Sequence, residues 1–350
     1  MACVKIQEHV ALAPLTTFKV GGAARYFVEA QTEQDVTEAV RFARERGLPL
    51  FVLGGGSNLV VSDSGWEGVV LRIALRGIEQ ANKDGKAIFD VGAGEDWDNF
   101  VARTVSLNCG GIECLSGIPG TVGGTPVQNV GAYGQEVAET ITGVRVLDLE
   151  QNQIREIENR DSGFAYRTSV FNSSARGRYI VLRVSYVLTP GAAPRIEYAD
   201  LKKFFAGSSA TLQQTREAVR EIRRSKAMLL VEGDPDCRSA GSFFKNPIIT
   251  PALYEEVSRK PAARGERVPR FPASDQKVKI SAAWLVEHSG FSKGFQRGAV
   301  GISSKHALAI INRGGARAAD IVELKNEIQQ RVYASFGVEL HPEPVFVGKF

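Results

Sequence analysis

Along the first 190 residues the apolar positions switch repeatedly between the two-residue period of strands and the 3.6-residue period of helices. Tyr26-Phe27-Val28 is a short aromatic and β-branched run. Val36, Ala39, Val40 and Ala43 recur at helical spacing within 33–46, and Leu50–Leu53 is a continuous apolar run of buried-strand type. The pattern predicts a strand–helix–strand unit from Arg25 to about Ile73, with a turn at Gly54-Gly55-Gly56-Ser57-Asn58-Leu59 directly after its second strand. A second layer follows, with strands at Val69–Ile73 and Ile88–Val91 and a helix around Trp97, Phe100, Val101 and Val105. Strands at Val144–Leu149 and Tyr179–Leu188 close what reads as one ligand-binding domain. Pro190 to Pro194 has no periodicity and two prolines, and reads as a linker. Beyond it, amphipathic helices at 211–227, Ser281–His288 and Asp320–Tyr333 predict a separate α/β domain. Arg259 to Gln276, polar and proline-bearing, reads as an exposed excursion.

Composition narrows the function without fixing it. The 350 residues are 43% hydrophobic and 23% charged, ordinary for a globular enzyme. A net charge of +4 from 43 basic and 39 acidic residues, with no basic arm, gives no reason to expect nucleic acid as a partner. The densest basic run, Arg216, Arg220, Arg223, Arg224 and Lys226, reads as the solvated face of a helix. Cys3, Cys109, Cys114 and Cys237 form no CxxC pair, and no metal site or disulfide framework is expected. The four histidines share no motif and read as structural. With no apolar signal core and no long uncharged apolar run, the expectation is a soluble cytoplasmic protein away from the membrane.

The candidate chemistry lies in glycine. Residues 117–134 carry six glycines, two prolines and no charge, so the value of the stretch rests on where its backbone N–H groups can point. It reads as a cradle for a large anionic ligand. GxGxxG after a strand, GxxxxGK[ST], HExxH and GxSxG are all absent, which argues against a Rossmann dehydrogenase or a P-loop enzyme. Two unconventional glycine loops remain, 54–58 and 117–124; they are either strand-end turns or a grip on two phosphates. Ser239–Pro247 sets hydroxyl, amine and amide groups around Phe243 and Phe244, as a lined pocket or as a packed strand edge. Arg167 stands among aromatics, and Glu343 between Pro342 and Pro344.

These segments occur in a familiar order. Thr17-Phe18-Lys19-Val20-Gly21-Gly22, Gly54–Leu59, Gly117–Gly124, Tyr166-Arg167, Gly241–Pro247 and Pro342-Glu343 together resemble the UDP-N-acetylenolpyruvoylglucosamine reductase family, nearly end to end. The resemblance implies an α+β chain. An FAD-binding fold of the PCMH or vanillyl-alcohol-oxidase type, made of two α+β subdomains, spans 17–190 after a segment at 1–16, and a smaller α/β substrate-binding domain spans 191–350. It implies non-covalent FAD and NADPH as hydride donor. The substrate is UDP-N-acetylenolpyruvoylglucosamine, reduced to UDP-N-acetylmuramate for bacterial peptidoglycan with no obligatory oligomer.

The same resemblance implies roles for particular residues. FAD falls to Gly54, Gly55, Gly56, Ser57, Asn58, Gly117, Gly120, Thr121, Gly123, Gly124, Gly131 and Ala132. Ser242 is the proton donor, helped by Lys245, Lys226 or a water, while Arg167 and Glu343 stabilise the intermediate. Tyr166, Tyr198, Lys226 and Asn246 fall to the sugar nucleotide, and Tyr198 marks the type that carries a mobile tyrosine loop. Two other readings keep the glycine loops. A tethered-flavin oxidase would need a histidine or cysteine nearby, and only Cys109 and Cys114 qualify; a non-catalytic sensor would have lost Arg167, Ser242 or Glu343.

Overall fold

The computed structural model describes residues 4–273 and 276–350, so Cys3 and positions 274–275 of the Arg259–Gln276 excursion lie outside the described residues. The helix at Glu33–Glu45 starts where the Thr32 side chain accepts the Asp35 N–H and Asp35 accepts the Thr32 N–H. Its inward face is the apolar set read from the sequence, Val36, Ala39, Val40 and Ala43. Asp96 caps Trp97–Ser106 through the Asn99 N–H at 2.8 Å. That helix buries Trp97, Phe100 and Val101, with Phe100 packed on Tyr186.

The expected strand–helix–strand unit is present with a strand inserted. In a four-stranded sheet, Trp66–Ile73 lies between Ala23–Ala30 and Leu50–Leu53, and Leu50–Leu53 runs parallel to it with Leu50 opposite Val69. The second sheet is antiparallel, in the order Gln153–Glu158, Ile141–Asp148, Tyr179–Pro190, Lys86–Gly92, Ile78–Lys83. Its two outer strands, Ile78–Lys83 and Gln153–Glu158, are not in the sequence reading. Both are polar and almost wholly exposed, so neither carries an apolar alternation.

The chain divides into two compact units. One comprises Met1–Val10, Ala24–Gly56 and Glu67–Arg224; the other comprises Ala11–Ala23, Ser57–Trp66 and Ser225–Phe350. This division does not follow the expected 190/191 boundary. Pro190 ends a strand paired with Cys109, and the Gly191 N–H donates to Asn108 O, so the proline-rich segment is packed and no linker separates domains there. In the second unit Val345–Val347 runs parallel to Leu59–Val61, and helix Ala318–Phe336 buries Ile321, Leu324 and Ile328 with Phe18, Val60 and Phe243 in one apolar cluster. The excursion is only partly exposed, a further correction. Ala263 and Val268 are buried, the Tyr254 hydroxyl donates to Val268 O, and Arg270–Pro272 pairs with Val278–Ile280. Among the described residues no helix is long and apolar enough to cross a membrane.

Candidate active site

The two glycine loops meet in the first unit. A Cβ on Gly55 would stand 2.6 Å from Gly120 Cα, a contact of backbone against backbone, and one on Gly54 would stand 3.0 Å from the Thr121 side-chain Oγ1. The N–H groups of Gly54, Gly55, Gly56, Ile118, Gly120 and Thr121 make no hydrogen bond to any described residue. Others in the stretch are spent internally. Gly117 N–H donates to Asp98, Val122 to Glu95 O, Gly123 to Ala93 O and Gly124 to Thr121 O. Gly123 packs on Ala93, whereas nothing lies within 4 Å of where a Gly124 Cβ would be. Gly131 and Ala132 form a short antiparallel pair with Gln135–Glu136. The loop 54–58 is shared, Gly54–Gly56 belonging to the first unit and Ser57–Asn58 to the second.

Helix Leu212–Ser225 anchors this cradle, which overturns the reading of its arginines as a solvated face. Arg216 reaches Asp98 at 2.5 and 3.0 Å, Arg220 pairs with the same carboxylate, and Arg223 is buried with Nε donating to Gly117 O at 3.0 Å. Asp98 also accepts the Gly117 N–H at 2.6 Å. Both polar groups of Gly117, whose φ is 71°, are therefore fixed by this network. Burial pushes the Asp98 pKa up, but the Arg216 hydrogen bond, the Gly117 N–H and the charges of Arg216 and Arg220 carry it below the ordinary value. Arg224 alone of these arginines keeps a mainly exposed pairing, with Glu221.

Arg167 stands on a tight turn in the same unit. Ala165 and Thr168 exchange N–H···O bonds of 2.9 and 3.0 Å across Tyr166-Arg167, and Arg167 has φ 55°. Its guanidinium lies 5.5 Å from the centre of the Tyr166 ring. Tyr198 stands at the N-cap position of the short helix Ala199–Phe205 without a side-chain capping bond, is 42% exposed and packs edge-on against Tyr133 at 5.4 Å. Its segment is held by the buried Glu113, which accepts from Arg195 N, Gln135 Nε2 and Gly111 N. Cys109 and Cys114 are both buried, and burial pushes both thiols up, so neither is poised as a nucleophile.

The second unit brings together residues about a hundred positions apart in sequence. Phe244 bridges Pro342 antiparallel, Glu343 N–H donates to Phe243 O at 2.8 Å, and Lys245 N–H donates to His341 O. Glu343 thus stands opposite Phe243, one position from Ser242, while Phe243 and Phe244 are buried in the core. Of the two options for Ser239–Pro247, the phenylalanines follow the packed strand edge. The Ser242 hydroxyl is partly exposed and makes no hydrogen bond to a described residue. Asn58 Nδ2 donates to Glu343 O at 3.2 Å and Asn58 O accepts Val345 N–H, so this loop residue holds the backbone of the glutamate. The Ser57 carbonyl accepts from Thr17 Oγ1. Asn246 Oδ1 accepts Ala282 N–H at the start of helix Ala282–His288. His306 accepts the Leu308 N–H at Nδ1, and Phe243 N–H donates to Leu308 O. Burial, then the Lys226 and Lys293 cations, push the His306 pKa down to about 4.

Sequence reasoning missed Asp98, Arg223, Glu113 and Asn129. Only Asn129 carried a signal, as one of two adjacent carboxamides, with Gln128, within an uncharged glycine stretch. It is 1% exposed, with Nδ2 donating to Glu136 Oε2 and Ala165 O and Oδ1 accepting Ala138 N–H.

Comparison with known proteins bears on the same regions. A profile of the C-terminal domain of UDP-N-acetylenolpyruvoylglucosamine reductase matches residues 234–347, and an FAD-binding-domain profile matches 24–158. The chain is 47% identical to the UDP-N-acetylenolpyruvoylglucosamine reductase of Saccharopolyspora erythraea, over 96% of its own length and 94% of the relative's. It is 44% identical to that of Thermobifida fusca, over 97% and 98%. The crystal structure of the reductase from Thermus caldophilus superposes with a TM-score of 0.68 at 25% identity, covering 99% of this chain and 100% of that one.

Proposed function

Since the chain belongs to the UDP-N-acetylenolpyruvoylglucosamine reductase family, we propose that it catalyses the NADPH-dependent reduction of UDP-N-acetylenolpyruvoylglucosamine to UDP-N-acetylmuramate in the bacterial cytoplasm, with Arg167, Ser242 and Glu343 as its catalytic residues. It is a flavin-dependent oxidoreductase of peptidoglycan precursor synthesis. The first unit fits a bound FAD. Its two glycine loops touch where a side chain would not fit, and six N–H groups there have no described partner, which suits a pyrophosphate. When bound, FAD supplies the redox chemistry, taking a hydride from NADPH and delivering it to the enol ether.

The chain's own residues handle charge and proton. Addition at the terminal carbon of the enol ether drives negative charge toward the substrate carboxylate, where the guanidinium of Arg167 can engage both oxygens. The adjacent carbon then takes a proton from the Ser242 hydroxyl, whose hydrogen is committed to no described acceptor. A serine hydroxyl is a weak acid, so Lys245, Lys226 or a water stabilises the alkoxide. Glu343 shares the carboxylate site in its protonated form or through a bridging donor. Tyr166, Tyr198, Lys226 and Asn246 are assigned to the sugar nucleotide, Asn246 through Nδ2, since its Oδ1 already caps a helix.

The observation that supports this reading is the pairing of residues 243–245 with 341–343, in which Glu343 stands opposite Phe243, the residue next to Ser242. Anaerobic stopped-flow with Ser242→Ala tests it. Flavin bleaching by NADPH is expected to proceed at the unsubstituted rate, and recovery on adding the enolpyruvyl substrate to be lost. Loss of both phases would remove Ser242 from the role of proton donor.

A further inference from the structure

Asn129, Tyr133 and Arg167 all adopt positive φ, at 44°, 49° and 55°. Side chains with a Cβ resist this conformation, and it persists where the surroundings over-determine it. For Arg167 those surroundings can be named. The turn that presents it is fixed by Asn129 Nδ2 donating to Ala165 O at 3.1 Å, Asn172 Nδ2 donating to Arg167 O at 3.2 Å and Ser169 Oγ donating to Val127 O at 2.6 Å. Two of these three bonds tie the turn to the 127–129 segment.

Both ends of the Arg167 side chain take their position from the same scaffold. The remaining polar capacity of the Asn129 amide goes to Glu136 Oε2 at 2.8 Å and Ala138 N–H at 3.1 Å, which ties it to the Gly131–Glu136 hairpin. Above Gly131 of that hairpin, a Cβ would stand 2.7 Å from Glu136 Cγ and 3.4 Å from Arg167 Nη1. The guanidinium therefore passes over the glycine that the Glu136 stem also covers. Glycine at 131 clears the way for these two side chains. Asn129 itself is buried and its amide is fully engaged within the chain, so it acts through Arg167.

We propose that Asn129, oriented by Glu136, is a positioning residue for the reduction: it sets the Arg167 guanidinium at the height and angle that meet the developing charge on the substrate carboxylate. A guanidinium anchored by one flexible tether would sample many placements, and misplacing a catalytic group by about 1 Å can cost a factor of about a hundred.

The inference rests on the reading of Arg167 as the carboxylate clamp, and the experiment separates the two. Flavin-loaded Asn129→Gly, Asn129→Asp, Glu136→Gln and Arg167→Ala proteins are followed by anaerobic stopped-flow, with rates per bound flavin. Asn129→Gly accepts the left-handed backbone and drops the amide; Asn129→Asp keeps the shape and turns the donor facing Ala165 O and Glu136 into an acceptor. In both, bleaching by NADPH is expected to stay within about twofold of the unsubstituted protein and recovery with the enolpyruvyl substrate to slow about ten- to a hundredfold. Glu136→Gln, which still offers Asn129 an acceptor, is expected to restore recovery to within about threefold.

Equal slowing of both phases in the Asn129 variants would overturn the inference, as would normal recovery in them while Arg167→Ala abolishes it. Normal recovery in Arg167→Ala would overturn the clamp reading itself, and the inference with it. Should the Asn129 variants lose flavin, Asn172→Ala, which removes the donor to Arg167 O, carries the same expectation, and normal recovery there refutes the proposal.

Discussion

Alanine at position 55 would test whether the two glycine loops form one binding surface. Gly55 has φ outside the left-handed region, so alanine is allowed by the backbone and only space is at issue. Its Cβ would stand 2.6 Å from Gly120 Cα, 2.9 Å from Gly120 C and 3.1 Å from Thr121 N. Comfortable carbon contacts lie at about 3.5–4 Å, so the loops must part by about 1 Å. All three atoms are backbone, and no rotamer change relieves the clash. Overpacking of this kind costs about 1–3 kcal/mol. Borne by the arrangement competent to bind, that weakens FAD by about 5- to 150-fold. Gly54→Ala meets only the Thr121 hydroxyl, which can turn aside, and is expected to lose less than about 1 kcal/mol. Gly124→Ala meets no described atom within 4 Å; it should leave the melting temperature of flavin-free protein unchanged, and weakened FAD binding there would place the cofactor against that glycine. Titration of flavin-free protein with FAD, read by flavin fluorescence, measures all three. A Gly55→Ala protein that binds FAD within about twofold of the parent would separate the loops and refute the reasoning.

Asp98→Ala removes the acceptor of the Gly117 N–H and the partner of Arg216 and Arg220. Because the site keeps some solvent, the expected loss in urea unfolding is about 2–4 kcal/mol, below that of a fully buried pair, and a loss under about 0.5 kcal/mol would restore the solvated-face reading. The depressed Asp98 pKa gives stability that is present above its unfolded-state value and disappears as pH falls through the folded one, so Asp98→Asn should flatten the acid limb of a stability–pH curve. His306, pushed from 6.5 to about 4, is neutral when folded. The unfolded chain takes up its proton first, so stability should fall by about 3 kcal/mol between pH 6.5 and 4 on account of this residue, and His306→Gln should remove that slope. An unchanged slope would place the acid sensitivity elsewhere.

Local pattern made some parts of this protein legible and left others hidden. Glu33–Glu45 could be read because its apolar face and its Thr32–Asp35 cap lie within the same few residues. Ile78–Lys83 could not, since an edge strand exposed on both faces needs no apolar alternation. The arginines of Leu212–Ser225 looked like a water-facing stripe because their partner Asp98 lies 118 residues before Arg216. Periodicity records that a face is polar and is silent on what the polar atoms meet. At the site, the glycine loops announced themselves through composition, whereas Ser242 and Glu343 were joined beforehand only by family resemblance. Their nearness depends on the Phe244–Pro342 bridge, a long-range pairing with no local signature. Gly131 illustrates a third case, a glycine visible in sequence whose reason is the passage of Glu136 and Arg167 above it.

The parallel pairing of Leu59–Val61 with Val345–Val347 also dictates an order of events during synthesis. The earlier strand leaves the ribosome without its partner and must wait for 286 further residues, from 61 to 347. At about 5–20 residues per second that interval is roughly 15 to 60 s. Throughout it, Ala11–Ala23 and Ser57–Trp66 have no complete second unit to join, although once Arg224 has been made the segments that flank them can assemble the first. The nascent chain therefore carries two loose apolar tethers, with Phe18 and Val60 uncovered, on an otherwise folding body. Those tethers are where a chaperone or a protease would find the unfinished protein, and Asn58, which holds the backbone of Glu343, lies within one of them.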